Sequence, residues 1–305
     1  MLIYGLKRLG VALLVAMTVS LMTFSMIYLS GDPAMALAGE TATQSDIEHI
    51  RRFYGYDRPI FVQYLSWVGG ALSGDLGHSH YLKSPVADVI FTRLPVTMIL
   101  GATALSFALV LSIPLGVLAA MRPNTLIDRF ALTLAVIGQA LPSFWFALMM
   151  MFFFGVTLRW LPVTGSDSWQ NFVMPAIALG YYTTPAVMRL TRAGMLDVLS
   201  SDYIRTARAK GLRPGVVLFK HALRNAIIPV VSLAAVQFGF MLGGSIVIET
   251  IFAINGLGQL AWESILRADL PMMQAIVLVL ACFYIVLTFL ADLLNAFLDP
   301  RIRVG

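Results

Sequence analysis

The sequence predicts an all-α integral membrane protein with six transmembrane helices and both termini on the cytoplasmic side. Three observations carry this. Hydrophobic residues make up 59% of the chain and charged residues only 12%, with a mean hydropathy of +0.82; soluble domains are about a quarter charged. Stretches without any charge cover residues 9–29, 94–121, 130–158, 168–188, 226–248 and 270–291, and about 20 helical residues cross a bilayer core. Lipid offers the backbone no partners, so these stretches are helices. Finally, with the N-terminus inside, 14 of the 21 Lys and Arg face the cytoplasm, among them Lys7, Arg8, Arg122, Arg129, Arg301, Arg303 and the cluster from Arg189 to Arg224. Basic loops stay inside. The net charge of +5 is therefore a topology signal, and nucleic acid is not expected as a partner.

The first stretch follows Lys7-Arg8, as a signal peptide would. It exceeds the roughly 7–15 residues of a signal-peptide core, so it is expected to remain as a membrane helix, despite the small residues Ala36-Leu37-Ala38. Residues 30–93 then form a structured external segment. Ser45-Asp46-Ile47-Glu48 has the spacing of a capping box, and the helix it opens is expected to stop near Gly55, where a left-handed residue is free of Cβ clash. In Ile60–Leu72, the residues Ile60, Tyr64, Trp67 and Val68 share one face, as in a segment lying along the membrane interface.

Pro95 is expected to open the second membrane helix, where its missing N–H is harmless. Pro114, Pro142, Pro175 and Pro185 lie in or near later spans and predict bends. Gly239 and Gly243 make a Gly-x-x-x-Gly face suited to close helix approach. Cys282 is the single cysteine; it forms no intrachain disulfide and is expected to be buried as a small hydrophobe. No internal repeat of the inverted-transporter kind is visible.

No phosphate-cradling Gly-x-x-x-x-Gly-Lys-Ser/Thr loop is present, and no Gly-x-Ser-x-Gly or His-Glu-x-x-His pattern. No cofactor and no metal site are expected: His78 and His80 lack further ligands, and His49 and His221 are isolated. Polar groups within the spans are few. Gln139, Glu249 and Asp292 are the candidates for a solute path, the last two near helix ends where an interfacial role also fits.

The loop 194–225 is different. Arg205, Arg208 and Lys210 are cations able to meet acidic partner groups, Ala207 and Ala209 are small, and Gly211 ends or bends the helix. A basic anchor explains the charges alone and leaves the small-residue spacing unexplained. Arg205-Thr206-Ala207-Arg208-Ala209-Lys210-Gly211 resembles the Glu-Ala-Ala loop of ABC importer permeases, in the version used by the dipeptide/oligopeptide (peptide/nickel) family. Arg205 and Thr206 stand in place of the Glu and first Ala, as in that subfamily, and Pro229 lies farther from the glycine than in sugar permeases. Gly31-Asp32-Pro33, Asp57-Arg58-Pro59, Gly74-Asp75-Leu76-Gly77, Arg93-Leu94-Pro95, Leu141-Pro142-Ser143-Phe144-Trp145, Glu249-Thr250-Ile251-Phe252 and Gly256-Leu257-Gly258 are similar to the family's segments in the same order.

The resemblance implies a type I transmembrane core over 94–305, preceded by the first helix and external segment over 1–93. It implies a non-enzymatic permease subunit of the inner membrane. Its partners would be a second homologous permease, two cytoplasmic ATP-binding subunits that hydrolyse ATP, and an external solute-binding protein. The coupling loop would act through Arg205, Thr206, Ala207, Lys210 and Gly211. Dipeptides or oligopeptides are the expected solutes. Glutathione, nickel complexes or another small solute are alternatives within the class, and a secondary transporter is the alternative outside it.

Overall fold

The computed structural model describes residues 2–29, 31–39 and 42–298. Arg301 and Arg303, which count toward the cytoplasmic side in the sequence, lie outside these residues. Among the described residues every regular element is helical. The chain opens with α1 (Leu2–Leu29), the short α2 (Pro33–Ala38), α3 (Gln44–Phe53) and α4 (Ile60–Leu72), then the 36-residue α5 (Val86–Met121). Next come α6 (Leu126–Ala140), α7 (Ser143–Met150) continued by a π-helical stretch Met151–Thr157, α8 (Val173–Tyr181) and α9 (Thr184–Leu199). Then α10 (Asp202–Ala209), α11 (Pro214–Val216), a π-helical stretch Val217–Leu223 and α12 (Arg224–Ala226) lead into α13 (Ile228–Ile251), α14 (Leu257–Leu266) and α15 (Leu270–Leu298).

Stretches of four helices, α1, α5, α13 and α15, are long and apolar enough to cross a membrane. The other two expected spans, 130–158 and 168–188, are interrupted. Leu141 is extended (φ −86°, ψ 129°), the conformation that a following proline imposes, so α6 stops there and α7 restarts after Pro142. The second break falls at Tyr182-Thr183, just ahead of Pro185. A charge-free run registers only apolarity, and both breaks leave apolarity intact.

Helix α5 is the centre of the bundle, in contact with α6, α8, α9, α13, α14 and α15. Ala104, Ala108 and Ser112 recur every fourth residue along one of its faces and are fully buried, and Gly116 continues the row. Small residues at this spacing let helix backbones approach. A Cβ on Gly180 of α8 would lie 2.3 Å from the Ala104 carbonyl oxygen, and one on Gly116 would lie 2.8 Å from the Met188 carbonyl oxygen of α9. Ser112 Oγ donates to the Thr184 carbonyl at 3.0 Å, a polar tie between α5 and the first turn of α9. At 36 residues α5 is about 54 Å long. It starts at Val86, so Pro95 lies well inside it and does not open it; Asp88 and Arg93 hide this extension from a search for charge-free runs.

Three further expectations change. The cap of α3 is Thr43 with Asp46, one pair earlier than Ser45 with Glu48: the Asp46 N–H donates to Thr43 Oγ1 at 3.3 Å and the Thr43 N–H to Asp46 Oδ2 at 3.0 Å. Both pairs satisfy the motif, and Glu48 is taken instead by Arg51 at 3.2 Å. Of the Gly-x-x-x-Gly pair, only Gly239 is at a tight contact, 2.3 Å from Tyr284 Cδ2 for an added Cβ; Gly243 faces open space. Cys282 is exposed on α15, on a surface suited to lipid. By contrast α4 has the expected bounds, and α3 closes with Gly55 at φ +73° and its N–H on the Arg52 carbonyl at 3.2 Å. Tyr64 and Trp67 of α4 pack around Phe24 of α1, while Ile60 is exposed.

The best-formed ion pair joins α6 to α9. Arg192 Nε and Nη2 donate to the two Asp128 oxygens at 2.7 Å each, and the Asn124 N–H adds a third bond at 2.9 Å. Asp128 is 2% exposed. The Arg192 guanidinium holds its carboxyl below the usual carboxylate range, so the pair stabilises fully above the unfolded pKa of about 4 and loses this as pH falls through the lower folded value. Asp128→Ala leaves Arg192 unpaired and is expected to cost about 3–5 kcal/mol. Combining it with Arg192→Leu should cost less than the sum of the two single changes. Thermal midpoints of the four proteins in detergent, at pH 7 and again at about pH 2, check both statements; additive losses would remove the pair as a unit.

Candidate functional site

The loop 194–225 folds as a small helical ledge at the Met121 end of α5. Helix α10 is amphipathic over two turns. Ile204 and Ala207, three apart and so on one face, are buried with Val117 and Ala120 of α5, Met195 of α9, and Val217, Ala222 and Ala226. Arg205, Thr206, Arg208, Ala209, Lys210 and Gly211 are exposed. The structure thus brings Arg205, Thr206, Lys210 and Gly211 to an accessible surface and places Ala207 on the opposite side, where its small size lets the helix seat closely. Asn225 Nδ2 donates to Tyr203 Oη at 2.8 Å, tying α10 to α12. The Arg205–Asp202 pair at 3.1 Å is almost fully exposed and adds little stability; its guanidinium remains available to a partner.

Gly211 stops α10. The Leu212 N–H donates to the Ala207 carbonyl at 3.3 Å and the Gly211 N–H to the Arg208 carbonyl at 3.0 Å, the paired bonds of a Schellman turn. Gly211 sits at φ +75° with nothing within 4 Å of an added Cβ. The requirement for glycine there is conformational, and the position is open to anything that docks.

The three path candidates are all engaged inside the chain. Gln139 accepts from Arg189 at 3.4 Å, and Asp292 pairs with Arg8 at 3.1 Å, joining α15 to α1. Glu249 is fully buried within the chain, near the end of α13. Its Oε1 accepts from Thr97 Oγ1 of α5 at 2.8 Å, and its Oε2 from the Gln259 N–H in the first turn of α14 at 3.0 Å. Thr97 Oγ1 in turn accepts the Leu257 N–H at 2.7 Å. A helix N-terminus offers unpaired N–H groups and a positive dipole end, so a carboxyl of α13 and a hydroxyl of α5 together cap α14. The approach requires glycine: a Cβ on Gly256 would lie 2.4 Å from Glu249 Oε2, and one on Gly258 2.7 Å from Ile246 Cα. Glu249 and the Gly-Leu-Gly that follows it are one unit. The signal in the sequence was a carboxyl in an apolar run followed closely by a helix start. Among the described residues no cluster of three metal-ligating side chains occurs.

The chain belongs to the family of binding-protein-dependent transport system inner membrane components: residues 112–304 match that family, and residues 1–101 match the N-terminal component of such proteins. It is 40% identical over 304 residues, 99% of either chain, to the glutathione transport system permease protein GsiC of Escherichia coli O6:H1. The same figures hold for GsiC of Escherichia coli strain K12 and of Shigella dysenteriae serotype 1. Its fold is similar to that of the MetNI methionine ABC transporter in an inward-facing conformation, with a TM-score of 0.59 at 19% identity, covering 69% of this chain and 96% of that one. The protein is therefore a multi-pass inner-membrane permease subunit of a binding-protein-dependent ABC importer, which decides against the secondary-transporter alternative.

Glu249→Ala strips the Thr97 hydroxyl and the Gln259 N–H of their acceptor. It is expected to destabilise the bundle by on the order of 3 kcal/mol. Glu249→Gln, which keeps one acceptor oxygen, should lose less, and Gly258→Ala should lose stability by steric conflict alone. Melting curves of the detergent-solubilised variants test this ranking. An alanine variant that melts with the wild type would show that Glu249 is not the cap.

Proposed function

We propose that this chain forms the membrane pathway together with a second homologous permease, two cytoplasmic ATP-binding subunits and an external solute-binding protein, and that α10 is the helix through which ATP drives transport. ATP hydrolysis belongs to the partners. The chain crosses the membrane six times with both termini inside; the broken pairs α6/α7 and α8/α9 supply the third and fourth crossings. Residues 94–305 are the core of the permease and 1–93 its first helix and external segment. The solutes are short peptides, glutathione included; the 40% identity to a glutathione permease supports that breadth.

The observation that carries the reading is the two-sidedness of α10. Its apolar face is fixed to α5 and α9, and its outward face presents Arg205, Thr206, Lys210 and Gly211. A partner that closes on ATP pushes the outward face, and the apolar seat passes the displacement to α5, because close-packed interiors transmit strain. A ligand shifts a two-state element only by contacting its states differently, and α10 is where that difference arises.

Orientation is tested by single cysteines in a Cys282→Ser background. Asp57→Cys is expected to react with an impermeant thiol reagent on intact spheroplasts, and Arg208→Cys only after lysis; the reverse pattern inverts the topology.

The coupling role is tested at Gly211. Gly211→Asp puts a carboxylate on the surface that meets the ATP-binding subunit, and an unpaired buried charge costs about 3–5 kcal/mol. Normal membrane insertion is expected, with uptake reduced at least tenfold and less co-purified ATP-binding subunit. Gly211→Asn adds the same bulk without charge and tolerates positive φ, so it should retain much more uptake. Wild-type uptake by the aspartate variant would end the assignment.

A further inference from the structure

We propose that residues 213–224, between α10 and α13, anchor the ledge to anionic phospholipid headgroups of the cytoplasmic leaflet. This rests on the cytoplasmic placement of the 194–225 loop and gives the ledge a second partner besides the ATP-binding subunit.

The stretch lies at the level of the membrane boundary. Val217 and Ala222 are buried with Val117 and Ala120 of α5. Those two residues belong to the last turns of the charge-free run 94–121, which Arg122 ends. On its other side the stretch leads into α13, which begins at Ile228 and is long and apolar enough to cross a membrane. The helix beside it and the helix after it thus both enter the apolar layer within a few residues.

Its outer side is apolar where a surface facing only water would be polar. Residues Val217–Leu223 are π-helical, and a π-helical turn brings residues five apart together. Val217 and Ala222 take the buried side of that turn, while Phe219, between them, is 64% exposed and Val216 38%. Leu118 and Met121, next to the α5 residues that receive the stretch, are exposed as well.

The charge around Phe219 is of one sign. Arg213, Lys220 and Arg224 are exposed, and none of the three forms an ion pair among the described residues. The sequence carries no Asp or Glu from residue 203 to residue 248. Of the two acidic residues in the loop, Asp202 is paired with Arg205 and Asp197 lies back on α9. Retention of cations on the cytoplasmic side explains basic residues anywhere in the loop; it does not explain an exposed phenylalanine among them. A ring flanked by cations is the composition of an interfacial anchor: the ring enters between headgroups, and Lys and Arg lay their stems on apolar surface and reach the phosphates. The attraction of an anionic leaflet fades within a Debye length, so it acts only on charges held beside the leaflet, where the packing on Val117 and Ala120 holds these. Because the stretch shares its apolar seat with Ile204 and Ala207 of α10, lipid charge sets how firmly the ledge is held.

The test uses the whole chain in nanodiscs, with Phe219→Cys in a Cys282→Ser background carrying a bimane label and with lipids bearing a nitroxide next to the headgroup. Quenching of the label is expected, at least twofold stronger in discs of phosphatidylcholine with phosphatidylglycerol than in phosphatidylcholine alone. Lys220→Gln with Arg224→Gln should abolish the difference between the two lipids, and salt should reduce it. No quenching, equal quenching in the two lipids, or a difference that survives the double change would each overturn the proposal. So would a label that added ATP-binding subunits shield from the lipid, which would make this face theirs. If Phe219→Cys or the double change does not fold, Val216→Cys carries the label and Lys220→Gln alone the change of charge. Both leaflets of the disc carry the nitroxide, so an inverted topology would leave the quenching in place and is read separately by labelling Asp57→Cys and Arg208→Cys. Transport is not measured, so a negative result leaves the permease assignment standing.

Discussion

A carboxyl group buried in a membrane helix must find hydrogen-bond donors within its own chain, and Glu249 finds them at the start of α14. The consequences run through half of the molecule. Capping fixes where α14 begins, and Gly256 and Gly258 let it begin close to α13. With α14 so placed, Leu257 and Leu260 pack against Val86, Ile90 and Met272, which joins the first turns of α5 to α15. The turn after α14 then presents Asp269 to Ser79 and His80. A helix left uncapped in an apolar surround would lose several backbone bonds at once. One side chain therefore sets the positions of α14, α15 and the 75–83 loop together.

The opposite end of α5 is organised by apolar contact. Val117 and Ala120 receive α10 without a hydrogen bond to either of the seating residues Ile204 and Ala207 through their side chains, which have no polar atoms to offer. Direction at this end comes from the bonds around it: the Schellman turn at Gly211, the Asn225–Tyr203 bond and the Asp128–Arg192 pair. The ledge is thus held by surface packing and oriented by polar ties, an arrangement that leaves its outer face exposed.

How much of this is legible in the sequence depends on whether a feature is local. The bounds of α4, the stop at Gly55 and the turn at Gly211 follow from short-range rules of helix endings, and the structure agrees with each. Cap competition is also local but degenerate: Thr43 and Ser45 both precede acidic residues three positions on, and Glu48 pairs with Arg51 and Arg52 instead of closing a cap. The start of α5 is obscured by Asp88 and Arg93; the breaks at Leu141 and Tyr182 fall where Pro142 and Pro185 predict bends, while Pro114 and Pro175 lie within helices. Glu249 is the residue whose role the sequence leaves open. Its role needs Thr97 of α5, 152 residues away, and no local rule joins them. The resemblance to peptide permeases named the Glu-Thr-Ile-Phe and Gly-Leu-Gly segments separately; the structure supplies the physical reason they occur together.

The row Ala104, Ala108, Ser112 and Gly116 shows why a bundle with two broken helices holds together. Each break frees carbonyl groups that lipid cannot satisfy, so the fragments need partners outside their own backbone ladders. Helix α5 braces α8 and α9 by proximity. Its small residues admit α8 at Gly180 and α9 at Met188 to distances that any Cβ would prevent, and at that separation Ser112 reaches the Thr184 carbonyl. Tyr181, at the end of α8, donates to the Leu134 carbonyl of α6 at 3.1 Å. Helices α8 and α9 are thus splinted to α5, and α8 to α6. Larger residues in the row would separate the helices and break the Ser112 tie. The four-residue spacing of small side chains is therefore a condition for the interruptions, and the interruptions are tolerable only beside a helix as long and as continuous as α5.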